Sequence, residues 1–448
     1  MRMWRTVAAA FLITLTALPV LAADTGSGTG TAKLNWFGSI RIRPEYDDNL
    51  YDVSSTQGED NITYTSYRVR LGVKAELDNN ISAVIESQYM GKFGEDQTAI
   101  RGSQTWSNTG STAQLFQAYI DAKNIAGQPV SVRAGRQTLV LADGWLMGNL
   151  DFYGGTSWDG VRVDVDHKRG TFTGFYMKEA ELDSPELMAA YGAPRGLGYS
   201  DMYGLWSTWK LAKKMNLEAG ILYHNDHNSQ YLPGHPLYRD KRMTYTANFR
   251  YEDKTGPFAV VNAAWQRGTG LNSSYTDYAD IDAKAWEVTA GWKFEVEGNP
   301  NKVYARVAQY GGDKPSTEKN ETFDPLYMDF HGRYGLSDFW SGAWGRPAYL
   351  GGPYGAYFLQ LGFESQLPGG LKLGAMFQNV RRDQRFEVEN RNLGTEFSVA
   401  AGYDYGKNHT LNVGFAQVYP GPAIDPELPQ PPKSNPTKRI FVSTTVHF

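Results

Sequence analysis

The stretch TSYRVRLGVKAEL, residues Thr65 to Leu77, decides the fold. In an extended chain Tyr67, Val69, Leu71, Val73, Ala75 and Leu77 share one face, while Ser66, Arg68, Arg70, Gly72, Lys74 and Glu76 share the other. Successive side chains of a strand point to opposite faces, whereas a helix would mix the two sets around its circumference. A segment of this length with one apolar face and one charged face is what the wall of a transmembrane barrel requires, with lipid on one side and water on the other.

The pattern recurs outward from this stretch in both directions. Between Arg242 and Glu252, residues Met243, Tyr245, Ala247, Phe249 and Tyr251 alternate with Thr244, Thr246, Asn248 and Arg250. Trp286, Val288, Ala290, Trp292 and Phe294 alternate with Glu287, Thr289, Gly291 and Lys293, and Phe397, Val399, Ala401 and Tyr403 form a further apolar face. About eighteen such runs follow one another from 33–46 to 438–448, with ambiguous facing at 169–179 and 200–213. Tight turns such as Asp78-Asn79, Glu252 to Gly256 and Tyr405 to Asn408 alternate with long connections near 47–61, 94–111, 142–157, 180–199, 226–241, 268–281, 312–353, 383–393 and 419–437. Short periplasmic turns against long outer loops define an all-β, up-and-down antiparallel barrel with both termini in the periplasm. The last run carries Ile440, Val442, Thr444, Val446 and Phe448 on one face, an aromatic ending that resembles the signal read by outer-membrane assembly machinery.

Composition bounds the rest. Residues 1–22 carry Arg2 and Arg5, an apolar run from Val7 to Leu21 and the small-residue site Val20-Leu21-Ala22, so a cleavable secretory signal is expected, followed by a single barrel over 23–448. The apolar run is shorter than the roughly 20 residues a membrane anchor needs. Cleavage would remove the two charges of Arg2 and Arg5 and move the formal net charge from -4 to -6, which argues against nucleic acid as a partner. The chain has no cysteine, so disulfides and thiolate metal sites are ruled out. Its 28 tyrosines and 14% aromatic content suit a membrane interface, where one end of a ring can be apolar and the other wet.

Eighteen strands enclose a lumen too wide for wall side chains alone to fill, and its lining decides what passes. By strand parity the inward cations are Arg41, Arg43, Arg68, Arg70, Lys74, Arg133, Arg162, Arg250, Lys293 and Arg306, against the acids Glu86, Asp121, Asp164, Glu287 and Glu396. Cations outnumber acids about two to one on these faces, and guanidinium groups pair bidentately with carboxylates, so a path for an anionic substrate is expected. The alternative is that these arginines pair with interior acids and simply satisfy a polar lumen.

The stretch AGRQTLVLADGWLMGN followed by TSWDGVRVDV resembles the alginate-export porin family, through Gly135-Arg136-Gln137, Gly144 and Trp158-Asp159-Gly160-Val161-Arg162. FDPLYMDFHGRYGLSD is similar too, through Phe323-Asp324-Pro325, His331, Gly335 and Asp338. The resemblance implies an eighteen-stranded barrel that passes the polyanion alginate through an Arg-rich constriction, with Arg136 and Arg162 toward polymer carboxylates. Arg136 breaks the parity of Arg133 and Gln137, which places it at a bulge or facing outward. Trp158 stands where the family has Phe. The family's long periplasmic lid after the sixteenth strand is replaced by the short turn Tyr405 to Asn408, so gating is expected to differ or to be absent.

Other chemistry is poorly supported. His224, Asp226, His227 and His235 have poor spacing for a shared metal ion and suit a solvated loop, and His331 suits a structural role in the loop 312–353. There is no Gly-x-Ser-x-Gly nucleophile motif and no phosphate-binding glycine loop, so no catalytic residue, cofactor or metal is expected. The expectation is a monomeric porin in outer-membrane lipid, passing alginate or a related uronate polymer, with periplasmic secretion partners. The alternatives are an uptake porin for small organic acids or oligosaccharides and, more remotely, an outer-membrane hydrolase. The Pro-rich 419–436 suits an outer rim or a constricting plug, and the Gly/Ser/Thr-rich 94–111 is another candidate for folding inward.

Overall fold

The computed structural model describes residues 32–49, 61–93, 114–149, 152–181, 199–226, 240–271, 277–314, 316–340, 355–384, 390–423 and 436–448. The expected signal segment 1–22 lies outside the described residues, as do 94–111 and most of 419–436.

Eighteen strands form one closed antiparallel sheet in chain order: β1 (Lys33–Asp48), β2 (Ile62–Glu76), β3 (Ile81–Lys92), β4 (Gln114–Ala122), β5 (Val130–Gln137), β6 (Trp158–His167), β7 (Gly170–Glu181), β8 (Tyr199–Ala212), β9 (Met215–Asp226), β10 (Asp240–Tyr251), β11 (Gly256–Leu271), β12 (Tyr278–Val296), β13 (Asn299–Tyr310), β14 (Ala356–Gln366), β15 (Leu371–Arg381), β16 (Asn392–Tyr405), β17 (His409–Pro420) and β18 (Thr437–His447). The ring closes where β1 pairs with β18, from Ser39 opposite His447 to Asp48 opposite Lys438. The backbones of Gly38 and Phe448 exchange two hydrogen bonds, of 2.9 and 3.1 Å, at the foot of this seam. Closure leaves no strand edge unpaired among the described residues, which a bilayer demands because lipid offers the backbone no partner.

The two faces sort as the alternation predicts. Leu34, Ile40, Ile85, Ile120, Val161, Leu205, Ile221, Leu359, Leu361, Val413 and Val442 stand exposed on the outer face. Aromatic side chains gather outside at the two ends of this band: Trp36, Phe172, Trp292 and Tyr403 toward the short turns, and Tyr67, Tyr89, Tyr203 and Tyr419 toward the long loops. Inside, Arg68, Arg70, Thr244, Thr246, Asn248, Glu287, Gln360, Gln378, Glu396 and Ser398 are buried. The barrel is therefore inverted relative to a soluble protein, with its polar residues within and its apolar ones without.

The lumen is nevertheless filled on one side by an apolar core. Residues 138–149 and 152–157, between β5 and β6, and 311–314 and 316–340, between β13 and β14, turn inward instead of rising above the wall. They bring Leu139, Trp145, Leu146, Met147, Phe323, Met328, Phe339 and Trp340 against the inward Met177, Met202, Trp206, Leu222, Ala285, Tyr310, Phe358 and Val380 of the wall. Burying each large apolar side chain is worth about 1.5–3 kcal/mol, enough together to order loops that would otherwise remain in water. The loops that fill the lumen are thus the two carrying the family-like motifs, whereas the two expected from proline and glycine content fall largely outside the described residues.

Candidate functional site

The two inward loops are stitched to each other before either touches the wall. The Gly148 amide donates to the Tyr327 carbonyl at 2.7 Å and the Asp329 amide to the Gly144 carbonyl at 2.8 Å, beside a bridge between Met147 and Tyr327. The Trp145 indole N–H donates to the Tyr310 hydroxyl at 2.8 Å, which lies 2.5 Å from that of Tyr334, and Tyr334 in turn donates to Glu287. Glu396, on the wall, collects the turn of the longer loop: it accepts from the Leu336 and Ser337 amides at 2.8 and 3.2 Å, the Ser337 hydroxyl at 2.8 Å and the Trp340 indole at 2.7 Å. Gly335, at φ +105°, lets the backbone approach this carboxylate, since a Cβ there would sit 2.3 Å from Glu396 Oε2.

Both loops then dock on the β1/β18 seam through buried charges. Arg439 donates bidentately to Asp47 at 2.6 and 3.1 Å and to Asp338 of the longer loop, with Glu45 3.4 Å away. Arg43 donates to Glu45 at 2.6 Å and is held between the Phe152 and Phe441 rings, 4.1 and 3.9 Å from their centroids. Tyr64 and Tyr153 both donate to Glu45. His331 stacks on Phe152 at 4.0 Å and contacts Asp338 at 2.6 Å. Burial works against the charge of Asp338, but His331 and Arg439 beside it prevail and hold its carboxyl down at about 2. Buried ions of this kind hold together only as a set, because deleting one leaves the others desolvated and unbalanced.

The site residues expected from the sequence divide between two zones. In the zone covered by the loops, Arg41 donates to the Tyr153 carbonyl at 3.0 Å, Arg68 is buried directly opposite Arg41, and Arg70 donates to Gln88 at 2.6 Å under the Phe116 ring. In the open zone toward the short turns, Arg133 is bidentate on Asp121 at 2.7 and 2.8 Å and Arg162 donates to Asp164 at 3.0 Å. Arg133 and Arg162 are Cα partners across β5 and β6, and their side chains remain 28% and 31% exposed. Lys74 pairs with Glu76, Lys293 with Glu252, Arg250 with Asp143 and Glu252, and Arg306 lies 3.7 Å from Glu287.

Two corrections follow. Arg136 does not line the lumen: its register partners Ala118 and Asp159 lie on the outer face, and it is bidentate on the exposed Asp159 at 2.6 and 2.9 Å. Gly135 at φ +122° precedes it, but the register runs through unbroken, so no bulge restores it to the inside. The twofold excess of inward cations is also corrected. Glu45, Asp47, Asp240 and Glu252 join the inward acids and Arg242 and Arg439 the inward cations: Asp47 and Asp240 lie where β1 and β10 run beyond their alternation, Glu45 shares the face of Arg43, and Glu252 folds back over Lys293. His224 is a smaller revision: it is not loop-borne but inward and half-buried on β9, 2.7 Å from Glu179 and 3.1 Å from Ser200.

Several groups of the site escape alternation altogether. Arg333 and Asp143 ride on loops, and Arg439 belongs to β18, whose apolar face attracts attention first. Arg333 donates to Glu287 at 3.0 Å and to the Asp143 carbonyl at 2.6 Å, and the Arg250 guanidinium, 2.9 Å away, holds the Asp143 carboxyl below the usual carboxylate range. For Asp143 and Arg333 the signal that could have located them is their position within the two family-like motifs; Arg439 lies in neither, and only the parity of β18 points it inward.

A closed barrel of eighteen strands with a polar lumen, an apolar belt and loops folded inside has the architecture of an outer-membrane β-barrel of the porin type. The sequence profile described as alginate export matches residues 33–341, more than half of the chain, and the protein belongs to that family. No curated protein matches it in sequence. Among solved structures it is similar to Pseudomonas aeruginosa OpdO (TM-score 0.57, 12% identity, 92% of this chain and 97% of that one) and to P. aeruginosa OccK5 (OpdH) (0.54, 12%, 92% and 98%). Acinetobacter baumannii OccAB1 is similar at the same level (0.55, 13%, 92% and 97%). At such identities these likenesses establish the fold alone.

Proposed function

We propose that this barrel passes an anionic polysaccharide, alginate or a related uronate polymer, across the outer membrane through its arginine-lined lumen. The observation that carries the reading is the direct opposition of like charges on the lumen wall: Arg133 faces Arg162 across one strand pair, and Arg41 faces Arg68 across another. Like charges directly opposite destabilise a sheet, so such pairs persist only where an anion repays them. In the open zone that anion is at present an exchangeable carboxylate of the protein itself, Asp121 or Asp164, still partly in water. A substrate carboxylate can take the same bidentate place, and because the competitor is always at hand each hold is brief, as conduction requires. The reading includes anion selectivity, cleavage of residues 1–22, a monomeric state and periplasmic secretion partners.

A second reading, uptake of small organic acids or oligosaccharides, is favoured by the apolar core inside the lumen, past which a polymer must thread. Planar-bilayer recording separates the two. Alginate should block an anion-selective current at concentrations where neutral dextran of equal length does not, and a cation-selective current without polymer block would reject the proposal.

A further inference from the structure

The tip of the shorter inward loop places a carboxylate in the open zone where a substrate's carboxylate would sit. Asp143 is 76% exposed in its side chain, yet it is aimed at a guanidinium: Arg250 Nη2 donates to Asp143 Oδ2 at 2.9 Å. Arg333 Nη2 donates to the carbonyl of the same residue at 2.6 Å, and Arg306 Nη1 donates to the Arg333 carbonyl at 2.6 Å. Guanidinium groups from β10 and the longer loop thus bond one residue of the shorter loop, while a third, from β13, braces the Arg333 backbone and adds its charge to the surroundings of the Asp143 carboxylate. Glu287, the acid that Arg306 and Arg333 share, is itself buried and already accepts from Tyr334 and Asn262.

The backbone at this tip is held in a conformation that its residues do not favour. Ala142 and Asp143 have φ of 52° and 53°, and Gly144 follows at 74°. A left-handed alanine beside a left-handed aspartate is strained and persists only where the surroundings impose it. The surroundings here are specific: Glu218 accepts from the Ala142 backbone and from the Trp206 indole, while Trp145 and Leu146 are locked in the apolar core. The loop is braced on both sides of Asp143 and the carboxylate is pushed forward into the water-filled lumen.

We infer that Arg250, Arg306 and Arg333 form a carboxylate-binding subsite of the transport path, and that Asp143 is its tethered occupant, displaced when a uronate carboxylate arrives. The inference rests on the transport reading above and adds to it a particular site and an autoinhibitory contact. A tethered ligand keeps the subsite from holding chloride or passing acetate when no polymer is present, and a polymer overcomes it because its many carboxylates arrive at high local concentration.

The test is Asp143→Asn, which keeps the shape and the tolerance of a left-handed backbone while removing the charge. The purified barrel, checked for folding by its heat-dependent shift on gels, is recorded in bilayers under a KCl gradient and then with trigalacturonate. The expected result is a higher chloride-to-potassium permeability ratio and a half-blocking concentration of trigalacturonate lower by about tenfold, the scale of one charge-assisted contact. Adding Arg250→Gln to Asp143→Asn should abolish both gains. Loss of a generic negative charge would instead add independently of Arg250. An unchanged permeability ratio in Asp143→Asn, or gains that survive Arg250→Gln, overturns the inference even where wild-type protein is blocked by the uronate. A ratio that shifts and depends on Arg250, with no uronate block in either protein, upholds the subsite and rejects the transport reading.

Discussion

Replacing Trp145 by alanine should open the channel without unfolding the barrel. The indole is fully buried between the rings of Tyr310 and Phe323, whose centroids lie 6.4 and 6.5 Å away, and its N–H donates to Tyr310. Truncating a buried Trp to Ala costs about 3–5 kcal/mol. The lower part of that range applies, because the Tyr310 hydroxyl keeps Tyr334 as a partner and is not left unsatisfied. None of this energy belongs to the strand ladder, since Trp145 lies in the loop between β5 and β6. The cost therefore falls on docking of the loop, and at 1.4 kcal/mol per decade it raises the undocked fraction by about a hundredfold or more. Single-channel recording should show a larger or more often open conductance, and Trp145→Phe, which keeps the ring packing and loses about 1 kcal/mol of hydrogen bond, should lie between. A Trp145→Ala protein that is folded, heat-modifiable and indistinguishable from wild type in conductance would refute the view that this core closes the pore.

Three further outcomes follow from the same geometry. Arg133→Gln and Arg162→Gln should each weaken polyuronate block about fivefold, the value of a half-exposed charge-assisted bond, whereas Arg136→Gln on the outer face should leave block and selectivity unchanged in the same recordings. Gly335→Ala forces a Cβ onto the Glu396 carboxylate at a positive φ and should undock the longer loop, which limited proteolysis within 316–340 would reveal; resistance equal to wild type would contradict it. Asp338 has a folded pKa of about 2 against 3.8 in the unfolded chain, so its contribution to loop docking is complete above about pH 4 and is lost as pH falls through 2. Channel noise should accordingly stay flat from neutral pH to about 4 and rise below it, and a rise already present at pH 6 would implicate other groups.

The wall of the barrel was legible because its two solvents impose a period of two on every strand. Thr65 to Leu77 displays that period without exception, and the structure pairs its Arg68 and Arg70 inward as read. The filling of the lumen was not legible for the opposite reason. Trp145, Leu146 and Met147 are consecutive and all buried, which no strand or helix period explains, because each faces a different part of an irregular cavity. Loop composition pointed instead to the glycine and proline tracts, although what holds a loop inside is apolar contact. The charge reading erred at strand ends: Asp47 and Asp240 sit one or two residues past the last apolar alternation, yet their carboxylates return inward to Arg439 and Arg242. Arg136 shows the converse limit, since it sits in the motif that carries the family resemblance, yet strand parity turns it to the outside.

The order in which the lumen can open is set by where each loop is anchored. The longer loop is fastened to the wall at several points, among them Glu396 through four donated hydrogen bonds, Arg439 through Asp338, and Glu287 through Arg333 and Tyr334. The shorter loop has its own wall contacts, from Arg41 to the Tyr153 carbonyl, from the Tyr153 hydroxyl to Glu45 and from Arg250 to Asp143, but much of its apolar surface rests on the longer one. Displacing the longer loop thus exposes the floor on which the shorter one lies, whereas the shorter can lift while the longer remains docked. Its lifting withdraws Asp143 from Arg250 and the Tyr153 carbonyl from Arg41 in one motion, so a cation in each zone of the lumen loses a loop partner at once. An anion that binds those cations better than the loop does must favour the lifted state by its difference in affinity, and in that way the substrate itself can shift the channel toward opening.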